Sequence, residues 1–244
     1  MPGTESSKPW PSEGRRHPPR DAPTYWILAP LSAWLQEEAR RAGSDFERPR
    51  LLDVGCGAKP YYPFFGPHVG EYVGVDPVHP GAELKGSVED LPVADGSFDV
   101  VLCSQVLEHC DDPDRAVREL RRVTAPGGRV LASTHGVMVY HPNPQDLWRW
   151  THAGLERLFG RNGEWSSLSV VPGAGTGACV TTVLAMYVHL ASKRAGPLAP
   201  AGGGIIRGLN RLGSLIDRRS ALLREPGAGT LFLNYHVRAE VAGP

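Results

Sequence analysis

The chain is poor in lysine, with four against 22 arginines, and it carries no net charge at neutral pH. With 26 basic and 26 acidic side chains, the whole chain has no electrostatic basis for gathering nucleic acid, and no nucleic-acid partner is expected. The arginine bias suits a GC-rich genome, and a bacterial source is expected. Cysteine is scarce too: Cys56, Cys103, Cys110 and Cys179 form no Cys-x-x-Cys pair and no metal-ligand spacing. That excludes a disulfide framework or a zinc module as the organising element and favours a reducing, cytoplasmic setting. No apolar run reaches the roughly 20 residues of a membrane span. Residues 1–21, rich in Pro, Gly, Ser and Arg, lack the apolar centre of a signal peptide and read as a disordered tail. One domain is expected over 22–244.

What is present alternates between strand and helix patterns. Tyr25 to Ala42 has apolar residues at helical spacing, and Arg50 to Val54 reads as a strand buried on both faces. Further strands are expected at Glu71–Val75, Glu83–Ser87, Phe98–Cys103 and Arg129–Ser133. Asp112 followed by Pro113 marks a helix start, and Ala116, Val117, Leu120 and Val123 form its apolar face. A polar and aromatic loop is expected over about 135–151, then a helix at Ala153–Phe159 and a strand at Trp165–Val171. A helical insertion, about 173–223, holds an almost wholly apolar helix (Ala178–Ala191) and a basic amphipathic one (Gly204–Leu223) before a last strand at Thr230–Ala239. This order predicts an α/β doubly wound sheet with helices on both faces.

The segment Leu51-Leu52-Asp53-Val54-Gly55-Cys56-Gly57-Ala58 reads as a strand ending in a nucleotide-cradling turn. Asp76, at the tip of the next strand and 19 residues beyond Gly57, suits ribose hydroxyls. A dinucleotide site requires Gly-x-Gly-x-x-Gly, but Pro60 stands at the third glycine. The Tyr-x-x-x-Lys pair of short-chain dehydrogenases is absent as well. Both observations favour a nucleoside without a pyrophosphate, for which S-adenosylmethionine fits. An NAD(P)-dependent oxidoreductase and a non-catalytic cofactor-binding partner protein are the alternatives.

Five segments in order resemble the class I S-adenosylmethionine-dependent methyltransferases of the type 11 group. They are Leu51 to Gly57, Val73 to Asp76, Glu89 to Pro92 running into Asp95 to Val101, Ser104 to His109, and Leu120 through Pro126-Gly127-Gly128. The resemblance implies a Rossmann-like seven-strand mixed sheet with its last strand antiparallel. It implies that Asp53, Gly55, Cys56 and Gly57 hold the methionine end of the cofactor and Asp76 the ribose. Ser87, Val88 and Glu89 would lie at the adenine edge, and Ser104 and Gln105 would line the site. The chain departs from the family pattern at Lys59, where a third glycine is usual, and at Ser87, where an acid is usual.

The acceptor is read less directly. Methyl transfer from a sulfonium needs alignment and exclusion of water, and a hydroxyl acceptor also needs a base, for which His is suited. His109 and His141, with Asp146, are the candidate catalytic residues, and His135 is a further candidate base. The stretch His141 to Thr151 resembles a His-Pro-x-Pro-x-Asp-x-x-Arg-x-Thr element of a methyltransferase subset associated with sugars and glycans. Its two tryptophans offer stacking faces; alternatively they pack on the sheet while Asp146 pairs with Arg149. A small-molecule or glycan acceptor methylated on oxygen is expected. A His135, His141, His152 metal site has irregular spacing, and no metal is expected. The helices at 178–223 leave two readings open, a buried core element or a membrane-peripheral surface that meets a lipid-linked acceptor.

Overall fold

The computed structural model describes residues 12–142, 145–194 and 199–243. A six-stranded sheet forms its centre: β1 (Arg50–Val54), β2 (Glu71–Val75), β3 (Phe98–Ser104), β4 (Thr124–His135), β5 (Ser167–Pro172) and β6 (Asn234–Glu240). The spatial order is β2-β1-β3-β4-β6-β5. The first four strands are mutually parallel, whereas β6 runs antiparallel to both β4 and β5.

Alternation along the buried strands assigns each side chain to a face. Leu51, Val100, Leu102 and Leu131 meet Leu31, Leu35 and Ala39 of α2 (Tyr25–Asp45), with Tyr61 and with Phe65 of α3 (Tyr62–Phe65). Leu52, Val101, Cys103 and Val130 point the other way. They pack on Val117 and Leu120 of α4 (Pro113–Val123) and Leu155 and Phe159 of α5 (His152–Asn162). The Asp112 carboxylate caps α4 by accepting from the Arg115 N–H at 2.9 Å, and the Thr151 hydroxyl does the same for α5 through Gly154. The insertion is a helical pair, α6 (Thr176–Ser192) and α7 (Ala199–Arg219).

Three expectations are corrected. The sheet has six strands among the described residues, because Glu83–Ser87 contributes only a one-residue bridge at Leu84 to Val75. Glu83 and Lys85 direct their side chains to Lys59 and to the His79 carbonyl, and Pro80, Gly81 and Gly86 leave too short a run to pair. The last strand begins at Asn234; Phe232 and Leu233 before it are buried, and their carbonyls accept from Val137 and Gly136 instead. The N-terminal tail is not disordered throughout: residues 12–21 are placed, with a short helix α1 (Glu13–Arg16). Arg16 is buried, donates to the Pro60 carbonyl at 2.6 Å, and its own carbonyl accepts from Ser32. Polar contacts hold this segment, and apolar content alone does not report them. Residues 1–11 lie outside the described residues. Third-position Lys59 also has a physical account. Its φ of +51° is the left-handed conformation that glycine adopts without strain. Its side chain is anchored on Glu83 while its stem lies over Gly74, where a Cβ would come within 2.6 Å of it.

Candidate active site

The carboxyl ends of β1, β2, β3 and β4 open on one cleft of about 1090 Å³. Ligand sites commonly span about 300–1,000 Å³, so this cleft has room for a nucleoside cofactor beside a second molecule. All ten residues expected at the cofactor line it: Asp53, Gly55, Cys56 and Gly57 from the first turn, Asp76, Ser87 to Glu89, and Ser104 with Gln105. His109, His135 and His141 line the same space.

The turn after β1 is held by backbone geometry. The Gly55 and Cys56 N–H groups both donate to the Val75 carbonyl, at 2.8 and 3.1 Å. Gly55 has φ +67°, and a Cβ there would stand 2.5 Å from a Val106 methyl, so only glycine fits. Asp76 locks the turn from across the cleft. One carboxylate oxygen accepts from Gly57 N–H at 3.0 Å, and the other from Val78 and His79 at 2.9 and 2.7 Å. Burial raises its pKa, but these three N–H groups outweigh burial and hold it below the ordinary value. Of roughly four acceptor positions on a carboxylate, one remains for a ligand hydroxyl.

Asp53 is the opposite case. It is buried, and burial pushes its carboxyl up to about 7, only partly offset by the Tyr72 hydroxyl donating to it at 2.6 Å. Arg15 and Tyr61 line the same cleft, with the Arg15 guanidinium beside the Tyr61 hydroxyl. Cys56 is an inert wall element, with burial pushing its thiol up to about 12. Ser87 accepts from the Glu89 N–H, and Glu89 in turn accepts from the Asp112 N–H at the start of α4. Gln105 carries φ +58° at the tip of β3 and donates to the Ser133 hydroxyl, which also meets Ser104. A non-glycine residue held in that conformation is a strained position of the kind found at functional sites.

At the far end of the cleft three imidazoles sit in a row, His109 to His141 at 5.3 Å and His141 to His135 at 5.2 Å between ring centres. His109 Nδ1 lies 2.6 Å from the Gln145 carbonyl, which assigns the proton to Nδ1 and leaves Nε2 as a lone-pair acceptor. Burial lowers its pKa, so it is neutral at pH 7. His135 is driven further, to about 3, by burial above all. Behind it Glu108 is fully buried, with the Thr134 hydroxyl donating to its Oε2 at 2.8 Å and its Oε1 lying 3.4 Å from His135 Nε2 without a hydrogen bond; burial pushes it up to about 7. Asp146 does not line the cleft. Arg149 grips both its oxygens at 2.5 and 2.6 Å and holds its carboxyl well below the carboxylate range, and the His141 N–H donates to it. Asp146 is therefore held ionised beside the His141 backbone.

Gln145, Leu147 and Trp148 strap the loop to residues 108–111 through hydrogen bonds, including Trp148 Nε1 to the Cys110 carbonyl at 2.8 Å. The two indoles stack on each other at 5.7 Å and do not line the cleft, so the stacking faces expected for a sugar are not offered there. Asn143 and Pro144 lie outside the described residues. His152 bonds the Val170 carbonyl away from the cleft, which separates the His135, His141, His152 trio. The cluster with metal-like proximity is instead His109, His141 and Asp146, one atom from each within 4.8 Å. Arg149 already claims both Asp146 oxygens.

Sequence reasoning missed Tyr72, whose partner Asp53 is one strand away, and the cleft wall from Arg15, Thr24, Ile27 and Leu28. Glu108 stood in the sequence motif, but its full burial depends on Thr134 and His135 arriving from β4.

The methyltransferase-domain family profile of the type 11 group matches residues 52–132, which span the glycine turn through β4. A malonyl-[acyl-carrier protein] O-methyltransferase of Serratia marcescens is 32% identical over 127 residues, 47% of this chain and 49% of that protein. The uncharacterized methyltransferase YcgJ of Bacillus subtilis is 34% identical over 102 residues, 35% of this chain and 40% of that protein. The chain thus spans about half the length, or less, of these relatives. A solved S-adenosylmethionine-dependent methyltransferase from Archaeoglobus fulgidus shares the fold at TM-score 0.54 and 13% identity, covering 89% of this chain and 96% of its own. The Asp53 to Gly57 turn and Asp76 both fall inside the matched region, so residues 52–132 are similar to the methyltransferase domain of the type 11 group.

Proposed function

We propose that the protein transfers a methyl group from S-adenosylmethionine to a hydroxyl of a small metabolite or sugar-containing acceptor. The observation that carries this reading is the single cleft in which the cofactor turn and the neutral imidazole of His109 share one space. The bound cofactor supplies an activated methyl on a sulfonium. The residues of the chain bind, orient and take up the proton.

Asp53 and Arg15 suit the ammonium and carboxylate of the methionine end, Asp76 a ribose hydroxyl, and Ser87 to Glu89 the adenine edge. His109 Nε2 accepts the acceptor's proton while the Gln145 carbonyl fixes its tautomer. His141, held by Asp146, packs between His109 and His135 and keeps the three rings in line.

Incubation with methyl-labelled S-adenosylmethionine and a panel of hydroxyl, amine and carbon acceptors tests the reading. Label in an ether product is expected; label confined to amine or carbon products overturns the hydroxyl assignment. The acid also sets a pH dependence. A cationic ligand lowers the Asp53 pKa, so affinity for S-adenosylhomocysteine is full above about 7 and falls by about tenfold per unit below it. Asp53→Asn removes that slope in a titration series; a slope that persists in the variant places the titrating group elsewhere.

A further inference from the structure

The helical pair α6–α7 is covered on its inner face only. Ala178, Cys179, Ala185 and Met186 of α6 point inward, while Val180, Leu184, Tyr187 and Leu190 point outward, exposed from 47% at Val180 to 62% at Tyr187. On α7, Ile205, Leu212, Leu215 and Ile216 are exposed as well. The surface is a fixed one. Asp217 caps the start of α6 by accepting from Gly177 and Ala178 at 2.7 and 3.0 Å, and Gly213 lets the helices meet where a Cβ would come within 2.3 Å of the Thr181 hydroxyl.

Charge on this segment is segregated. Residues 176–224 hold seven Lys or Arg against one acid, Asp217, in a chain of zero net charge. Asp217 is buried against the α6 N–H groups, whereas Arg211, Arg218 and Arg219 are exposed beside the apolar stripe. Apolar side chains flanked by unopposed cations suit the interface of an anionic bilayer, where the stripe enters the acyl boundary and the guanidiniums meet headgroup phosphates. A second copy of the chain would set like charge against like. Among the described residues no helix is long and apolar enough to cross a membrane, so the geometry is that of a helix pair lying on a surface.

We infer that the outward face of α6 and α7 docks the protein on an anionic lipid surface. The same helix reaches the cleft from within: Cys179 and Met186 pack with Ile27, against which Met138 lies, and Ile27 and Met138 line the cleft. The docking stands on the helix pair alone, and its test reads binding, so it succeeds or fails separately from the methyl-transfer reading.

Flotation of the full chain with phosphatidylcholine vesicles, with and without phosphatidylglycerol, provides that test. Binding to the anionic vesicles is expected, falling about tenfold or more in Leu184→Glu/Leu212→Glu, in Arg211→Ala/Arg218→Ala and at high salt. Circular dichroism and retained S-adenosylhomocysteine binding check that the variants fold. Absence of flotation with the anionic vesicles overturns the inference. Equal binding to neutral vesicles does too, as does a wild-type dimer in light scattering that the leucine variant dissolves.

Discussion

Replacing Asp76 by alanine is expected to weaken S-adenosylhomocysteine binding by about 100-fold or more, measured by calorimetric titration. The carboxylate holds three backbone N–H groups, those of Gly57, Val78 and His79, and is buried at the tip of β2. Its loss removes the remaining ribose acceptor and frees the glycine turn at the same time. Hydrogen bonds to a charged group contribute about 1.5–3 kcal/mol each, so losing a ribose contact and the turn's anchor corresponds to roughly 3 kcal/mol or more. Each 1.4 kcal/mol is about tenfold in affinity. Asp76→Asn keeps an oxygen for Val78 and His79 but presents an amide toward Gly57 N–H, and falls between alanine and wild type. Undiminished affinity in the alanine variant would move the ribose site away from β2.

The second large effect is on turnover. His109→Asn keeps a donor that can reach the Gln145 carbonyl but removes the Nε2 lone pair, and kcat is expected to fall by about 100-fold or more. Affinity for S-adenosylhomocysteine stays unchanged, because His109 belongs to the acceptor end of the cleft. The pH profile separates base from scaffold. His109 sits below its ordinary pKa, so its free-base form is fully present at neutral pH and is lost only as pH falls below that lowered value. Asp53 titrates higher, near 7, and acts on cofactor affinity. In acid, KM for the cofactor therefore rises before kcat falls. A His109→Asn enzyme with wild-type kcat removes His109 from proton transfer.

The parts legible in the sequence are those whose chemistry is local. A glycine with positive φ at Gly55, an acid at a strand tip 19 residues beyond Gly57 and the Asp112-Pro113 helix start each constrain residue type within a few positions. They marked the turn after β1, the tip of β2 and the start of α4. What was not legible depends on chain segments meeting from far apart. The imidazole row needs the loop after β4 strapped over the end of β3 by Gln145, Leu147 and Trp148, and spacing alone does not show that. The same holds for Glu108, whose burial requires Thr134 and His135. Glu83 to Ser87 had strand-like residues, but the side chains beside Leu84 are drawn to Lys59 and His79, leaving a single bridge. Arg16 is not legible because a buried guanidinium held by the Pro60 carbonyl has no apolar signature.

The central claim is that the Asp53 to Gly57 turn and Asp76 form a site for S-adenosylmethionine rather than a dinucleotide. Calorimetric titration of the full chain with S-adenosylhomocysteine, and separately with NAD+ and NADP+, tests it most directly. Stoichiometric binding of S-adenosylhomocysteine with no heat from either dinucleotide is the expected result. Binding of a dinucleotide with none of S-adenosylhomocysteine would contradict it.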